Sequence, residues 1–279
     1  MRVIKTALLG LILFYCIPVS CWASIRIDKP KVRLTIAAGS YSSGEIRVEN
    51  NGREPAVVKA YLEDWIYKDQ NGEKEFMPKG TAPLSCSDWI TFYPADFTVP
   101  VDGVQVVRYT VTVPDGSQGG HYSVLFFETG GGEMEKLDES GNVAIVKVLN
   151  RLGALFYVEP ENSINKSSEI KKIDISQNLN KLTVVVDLLN TGNTDITTRG
   201  TFNVMDPQGY VYARGEFGEV FTLPNNNAQL RSVAPMTSLK AGNYDLLINL
   251  DYENGGVLIV EANFTVEPSG AIASLQMKK

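Results

Sequence analysis

Apolar and polar residues alternate along most of the chain after about residue 23. The segments IRIDKPKVRLTI and VQVVRYTVTVP carry apolar residues at nearly every second position, which is the period of a strand with one buried face. Clusters of Gly, Pro and Asn separate these segments, and no long amphipathic helix pattern occurs among them. Many short strands at this spacing predict an all-β chain built from antiparallel β-sandwiches.

The strand series is interrupted once, by the polar and non-periodic segment EPENSINKSS. Such a segment is typical of a linker between domains. A second strand series follows it, and the chain then ends in a polar stretch. The pattern therefore predicts two sandwich domains, over 24–160 and 161–268, and a flexible tail over 269–279.

The two predicted domains share two short motifs. VENNGREPAVV in the first is similar to LLNTGNTDITT in the second, and GGHYSVLFFE is similar to AGNYDLLINL. Immunoglobulin-like sandwiches carry a tyrosine near the start of strand F, whose hydroxyl bonds to nearby backbone. Tyr122 and Tyr244 are the predicted tyrosine corners. His121, the single histidine, takes the position of Asn243, which predicts a structural role for it.

The first 23 residues predict a secretory signal peptide. Arg2 and Lys5 precede an apolar run, and Pro18 and small residues lead to a cleavage site after Ala23. We expect a secreted, periplasmic protein. The alternative is a cell-surface protein or a lipoprotein anchored through Cys21, the one route by which it would meet a membrane. Cleavage leaves Cys86 as the sole cysteine, which we expect to be an inert thiol.

Composition and motifs argue against several function classes. A net charge of -6 without a basic patch argues against nucleic acid binding. One histidine and one mature cysteine cannot form the usual zinc sites, and no nucleophile-elbow, phosphate-loop or dinucleotide motif occurs. We therefore predict no enzyme, no catalytic residues, no cofactor and no metal site, although a hydrolase that uses two carboxylates remains open as a third hypothesis.

The first domain resembles the N-terminal domain of periplasmic pilus-assembly chaperones over about residues 25–158. The resemblance depends on IRIDKPKVRLTI, on GEIRVENNGREPAVVKAYLEDW, on QVVRYTVTVP followed by GGHYSVLFFE, and on a long last strand that ends in ALFYVEP. The second domain is only generically immunoglobulin-like. The resemblance implies a protein that binds pilin-like or other envelope subunits and lends them its last N-domain strand.

The resemblance also implies the site residues. Val143, Ile145 and Leu149 share one face of the last strand and would contact the client. Lys31 matches the first-strand position of a pair of basic residues that anchors the client's carboxylate. The second position falls at Ala154, so the nearest basic residue, Arg151, is the candidate helper.

Two hypotheses from different classes follow. The leading one is a non-enzymatic, chaperone-like protein that binds other polypeptides by β-strand addition. The alternative is a structural or adhesive surface protein that binds glycan or protein through its loops, with aromatic residues such as Trp65 and Tyr67 as a sugar platform. For these aromatic residues, packing in the core is the simpler interpretation.

Overall fold

The computed structural model describes residues 24–137, 143–178, 180–236, 239–252 and 256–278, and within these it leaves out the side chains of 132–137 and 143–146. The predicted signal peptide and Cys21 lie outside the described residues. No described segment forms a helix that is long and apolar enough to span a membrane.

Within the described residues, the first domain contains ten strands and a short 3₁₀ helix, Ser87–Trp89. The strands are β1 Ile25–Ile27, β2 Lys31–Ile36, β3 Tyr41–Asn50, β4 Ala56–Tyr67, β5 Lys74–Pro78, β6 Ile90–Tyr93, β7 Asp96–Val99, β8 Val104–Thr112, β9 His121–Leu137 and β10 Val143–Pro160. One sheet has the order β1-β3-β8-β6, and the other has the order β2-β10-β9-β4-β5 with β7 beside β4. Alternate residues of both sheets meet in a buried apolar core, as a two-layer sandwich requires.

In the part of the second domain that the structure describes, there are eight strands. They are β11 Ser168–Asn178, β12 Lys181–Asn190, β13 Ile196–Met205, β14 Val211–Thr222, β15 Asn227–Pro235, β16 Gly242–Tyr252, β17 Gly256–Val266 and β18 Ile272–Met277. Sheets of order β11-β12-β15 and β14-β13-β16-β17-β18 enclose a second apolar core. The predicted fold class, all-β with two sandwich domains in tandem, is confirmed.

Two segments differ from the sequence predictions. The motif GGHYSVLFFE ends at Glu128, whereas β9 continues through the following glycine-rich and acidic residues to Leu137 and pairs with β10. This part of the hairpin lacks the apolar alternation by which strands are recognised. The predicted flexible tail is also wrong in part, because β18 pairs with β17 and the Lys278 ammonium lies 3.3 Å from carboxylate oxygens of Asp245 and Glu261.

β10 lies in the second sheet of the first domain with two different neighbours. It pairs with β9 in antiparallel register along its length, from Val143 opposite Leu137 to Val158 opposite His121. β2 pairs with it in parallel only from Leu155 onward. Among the described residues, the edge of β10 from 143 to 154 therefore has no strand partner.

The first shared motif has a common structural role, which is clearest at Asn50. This side chain is buried, and its amide nitrogen donates to the carbonyls of Glu54 (2.7 Å) and Val99 (3.0 Å). Its side-chain oxygen accepts from the backbone N–H of Gly52 at 2.9 Å. One carboxamide thus satisfies three backbone groups in the turn after β3.

Asn190 repeats this arrangement in the second domain. Its buried carboxamide donates to the carbonyls of Thr194 (2.9 Å) and Thr222 (3.3 Å) and accepts from the N–H of Gly192 (2.9 Å). The sequence similarity between the two turns therefore corresponds to the same hydrogen-bond pattern. It also closes the turn of the second domain that faces the first.

We expect Asn50→Ala and Asn190→Ala each to lower the free energy of unfolding by about 1–3 kcal/mol, because buried backbone groups lose their partners. Urea unfolding measures this loss. Asn51→Ala, at the exposed neighbouring position, is the matched control and should change stability little. Equal losses in Asn50→Ala and Asn51→Ala would contradict the assigned role.

Candidate functional site

The second sheet of the first domain turns one face away from the core of its own domain. We call this the outer face; it carries the residues that alternate with core residues along β2, β10, β9, β4 and β5. In register, Arg33 lies opposite Tyr157, and Tyr67 lies opposite Lys74. The outer face therefore combines aromatic and basic side chains.

Four aromatic rings form the centre of the outer face. The Trp65 ring lies 5.2, 5.5 and 5.3 Å, between centroids, from the rings of Tyr67, Tyr122 and Tyr157, in edge-on contacts. Its indole N–H donates to the carbonyl of Ser123 at 3.1 Å. Leu223 of the second domain belongs to the same buried cluster. These edge-on contacts stabilise the cluster and fix the ring orientations.

Two lysines lie on these rings. The Lys31 ammonium is 4.8 Å from the ring centroid of Tyr157, and the Lys74 ammonium is 5.6 Å from that of Trp65 and 5.4 Å from that of Tyr67. Neither lysine forms an ion pair with a described carboxylate. Burial lowers the pKa of Lys74, and the positive charge of Lys31 lowers it further. Two cations that repel each other in this way favour an anion between them.

Arg33 lies on the same face of β2 as Lys31 but, in contrast to it, pairs with two carboxylates. Its guanidinium donates to Glu159 at 2.8 Å and to Asp195 of the second domain at 2.6 Å, and it stacks 4.6 Å from the Tyr157 ring centroid. Burial alone would lower the pKa of Arg33, but the hydrogen bond and charge of Asp195 outweigh it and raise the pKa. Arg33 therefore connects the two domains.

Tyr122 makes the second connection to Asp195. Its hydroxyl accepts from the backbone N–H of Asp195 at 2.7 Å and lies 3.3 Å from the Asp195 carboxylate. The sequence predicted a bond to nearby backbone, as in a tyrosine corner, and this is wrong because the domain interface supplies the partner. Tyr244 has the geometry of a tyrosine corner, since its hydroxyl donates to the carbonyl of Lys240 at 3.0 Å.

The two glycines before His121 allow this close contact between the domains. A Cβ on Gly119, which has a φ of 76°, would lie 2.6 Å from the carbonyl oxygen of Asn193. A Cβ on Gly120 would lie 2.6 Å from the hydroxyl of Thr194. The N–H of Gly120 instead donates to the Asn193 carbonyl at 2.8 Å. A larger residue at Gly119 would displace the backbone of the second domain, and one at Gly120 would displace the hydroxyls of Tyr122 and Thr194.

His121 and Cys86 are both held in structural surroundings. The His121 ring lies 4.2 Å from the Trp89 ring, and its Nδ1 is 3.1 Å from the carbonyl oxygen of Gly119. Burial lowers the pKa of His121, against the effect of that backbone contact. Burial raises the pKa of the Cys86 thiol to about 12. A buried thiol with so high a pKa is a poor nucleophile.

The structure brings only some of the predicted site residues together. Lys31 lies at the aromatic cluster, but Arg151 bonds to Glu63 at 3.3 Å and stacks 4.3 Å from the Phe126 ring. Arg151 is also four residues along β10 from Leu155, the partner of Lys31, which is about 13 Å. Arg151 therefore contacts Glu63 and Phe126, and its role as a helper of Lys31 stays a prediction, whereas Lys74 is a basic residue whose pKa responds to the charge of Lys31.

The predicted client-contacting residues have different outcomes. The Leu149 side chain is 60% exposed at the unpaired part of β10. The backbones of Val143 and Ile145 lie opposite Leu137 and Glu135 of β9, but their side chains lie outside the described residues. Their contact with a client remains a prediction.

Two signals in the sequence point to Lys74 and Arg33, which the sequence predictions do not include. The Asn-Gly pair at 71–72 is a hairpin signal, and a hairpin there puts Lys74 opposite Tyr67. Arg33 shares the face of Lys31 because side chains two residues apart in a strand point the same way.

Comparison with known proteins gives a similarity at the level of structure. No family model matches the chain, and no curated protein sequence matches it. The fold is similar to that of fimbrial chaperones. A chaperone–tip adhesin complex of CFA/I fimbriae biogenesis is 15% identical, with 85% of this chain and 97% of that chain covered and a TM-score of 0.48.

Two further structures have the same kind of similarity. The CsuC–CsuE chaperone–tip subunit complex of the archaic chaperone-usher Csu pili of Acinetobacter baumannii is 11% identical, over 86% of this chain and 98% of that one, with a TM-score of 0.44. The class 5 fimbriae chaperone CfaA is 16% identical, over 85% and 97%, with a TM-score of 0.42. The similarity concerns the fold alone.

We expect Tyr122→Phe to lower the free energy of unfolding by about 1–3 kcal/mol, because the buried N–H of Asp195 loses its acceptor. The loss should appear as weaker coupling, with the two domains unfolding in separate urea transitions. The matched control is Tyr244→Phe, whose lost bond lies within the second domain and which should shift that domain alone. An unchanged single transition in Tyr122→Phe would contradict the interface assignment.

Proposed function

We propose that this chain is a secreted, periplasmic, non-enzymatic chaperone-like protein that binds other polypeptides, pilin-like subunits among them, by β-strand addition. The observation that carries the proposal is the edge of β10 from 143 to 154, which has no strand partner among the described residues. A strand edge exposes a row of N–H and C=O groups that another chain can pair with. Addition of an extended peptide to such an edge is a recurring mode of recognition.

The position of β2 fixes where an added strand would end. β2 occupies the same edge of β10 and runs parallel to it, with Lys31 opposite Leu155. A client strand on residues 143–154 would end where β2 begins. If its C-terminus lies at that end, the client strand also runs parallel to β10, and its terminal carboxylate lies beside Lys31.

Lys31 and Lys74 would then hold the terminal carboxylate. Both ammonium groups lie on the aromatic cluster, and neither has an acidic partner among the described residues. A carboxylate between them would form charge-assisted hydrogen bonds and would relieve their mutual repulsion. Arg33 cannot replace either lysine, because Glu159 and Asp195 already occupy its guanidinium.

The other polar groups of the site have structural tasks in this proposal. Arg151 and Glu63 neutralise each other beside the free edge, and Tyr122 and Asp195 hold the domains in position. The buried Cys86 thiol and the His121 ring, which lies against Trp89, are part of the packing. In this proposal, binding needs an extended client strand that fits the exposed edge of β10 and a carboxylate that meets two positive charges. It involves no covalent chemistry.

A synthetic strand tests this proposal. The probe is a fluorescent peptide of about twelve residues, which matches the free edge at about 3.3 Å per residue. It alternates threonine and valine, ends in valine with a free carboxylate, and is compared with its C-terminal amide by fluorescence anisotropy. We expect the acid to bind at least about tenfold more tightly than the amide, because only the acid forms charge-assisted bonds.

Substitution of the lysines should remove this preference. Lys31→Gln and Lys74→Gln should each weaken binding of the acid about tenfold and leave binding of the amide nearly unchanged. The matched control is Lys68→Gln, in the same hairpin, whose exposed ammonium pairs with Glu73. If neither peptide binds, or if all three variants behave alike, the proposed function is wrong.

A further inference from the structure

A small apolar pocket lies where the second domain meets the outer face. It has a volume of about 250 Å³. The first domain contributes Trp65, Tyr67, Leu84 and Tyr122, and the second contributes Leu223 and Pro224. Pockets for drug-sized ligands are usually about 300–1,000 Å³, so this pocket is closer to the size of one large side chain.

Two residues in the walls of this pocket are held in place by hydrogen bonds. Trp65 and Tyr122 are almost completely buried, and the Trp65 indole N–H is fixed on the Ser123 carbonyl at 3.1 Å. The Tyr122 hydroxyl is fixed on the backbone of Asp195 at 2.7 Å. The pocket is therefore formed before any ligand arrives, which reduces the entropic cost of filling it.

The pocket shares two walls with the basic site. Trp65 and Tyr67 line the pocket, and the Lys74 ammonium lies 5.6 and 5.4 Å from the centroids of these same two rings. The C-terminal residue of a polypeptide carries its carboxylate and its side chain on one Cα. A terminal residue whose carboxylate meets Lys74 is therefore within the reach of one side chain of the rings of Trp65 and Tyr67.

We propose that this pocket receives the side chain of the client's C-terminal residue and selects clients that end in a large apolar or aromatic residue. The inference rests on the proposed function and adds a specificity site to it. Charge and shape act on different atoms of the same residue: the lysines hold the carboxylate, and the pocket holds the side chain. Burial of that side chain should strengthen binding about tenfold or more over glycine.

The test uses the threonine–valine probe with three different ends, measured by fluorescence anisotropy. One version ends in phenylalanine with a free carboxylate, one in glycine with a free carboxylate, and one in phenylalanine amide. The ratio of phenylalanine to glycine affinity reports the pocket. The ratio of acid to amide affinity reports the basic site.

Two variants should separate the ratios. Leu223→Trp fills the pocket, so the phenylalanine-to-glycine ratio should fall to about one while the acid-to-amide ratio remains. Lys74→Gln should lower the acid-to-amide ratio to about one and leave the phenylalanine-to-glycine ratio unchanged. Tyr210→Trp adds the same side chain at an exposed position of the second domain and should change neither ratio.

A second measurement tests the pocket without a substitution at Leu223. Residues 1–23 carry the third tryptophan, so after cleavage a Trp89→Phe protein has Trp65 as its only indole. A probe that ends in 4-bromophenylalanine should quench the Trp65 fluorescence on binding, because the bromine comes into contact with that ring. A probe with the bromophenylalanine at its N-terminus should leave the fluorescence unchanged.

The outcomes distinguish the two proposals. If the acid binds better than the amide but phenylalanine and glycine ends bind equally, the pocket inference is wrong and the proposed function stands. An absence of quenching by the bound bromophenylalanine probe also overturns the pocket inference. If no probe binds in any form, both proposals are wrong.

Discussion

Asp195 connects the two domains, and the geometry of the site depends on this connection. Its carboxylate meets Arg33 of β2 at 2.6 Å, and its backbone N–H donates to the Tyr122 hydroxyl of β9 at 2.7 Å. These bonds join the second domain to two strands of one sheet. Because both are directional and partly buried, they fix an orientation as well as a contact. The pocket beside Trp65 exists only while Leu223 is held in this position.

The same connection gives the basic residues of the outer face different roles. Arg33 lies between two carboxylates and serves the interface, whereas Lys31 and Lys74 have no described acidic partner and repel each other. A cation that already pairs with a carboxylate contributes little to binding a further anion. Two lysines without an acidic partner among the described residues are stabilised when an anion binds between them. We therefore propose Lys31 and Lys74 as the anchor, because the carboxylates of Glu159 and Asp195 already neutralise Arg33.

The sequence predicted the two sandwiches well because the core residues of both domains occupy every second position of their strands, and this alternation is visible in the local sequence. Ile46 and Val48, or Leu246 and Ile248, are buried at alternate positions, as the pattern requires. The site was harder to predict because its contacts join distant residues. Nothing in the sequence near Tyr122 indicates that its hydroxyl meets Asp195. Arg151 was chosen for its nearness in sequence, but its position in β10 brings it to Glu63.

The most direct test of the central claim is the register of the bound strand. With the acid probe isotopically labelled, nuclear Overhauser contacts should connect it to the exposed edge of β10 in parallel order, with its last residue near Leu155 and Lys31. The amides of β10 that face away from β9, between residues 147 and 154, should also become protected from hydrogen exchange. Contacts in antiparallel order, or protection of amides in the second domain instead, would contradict the account.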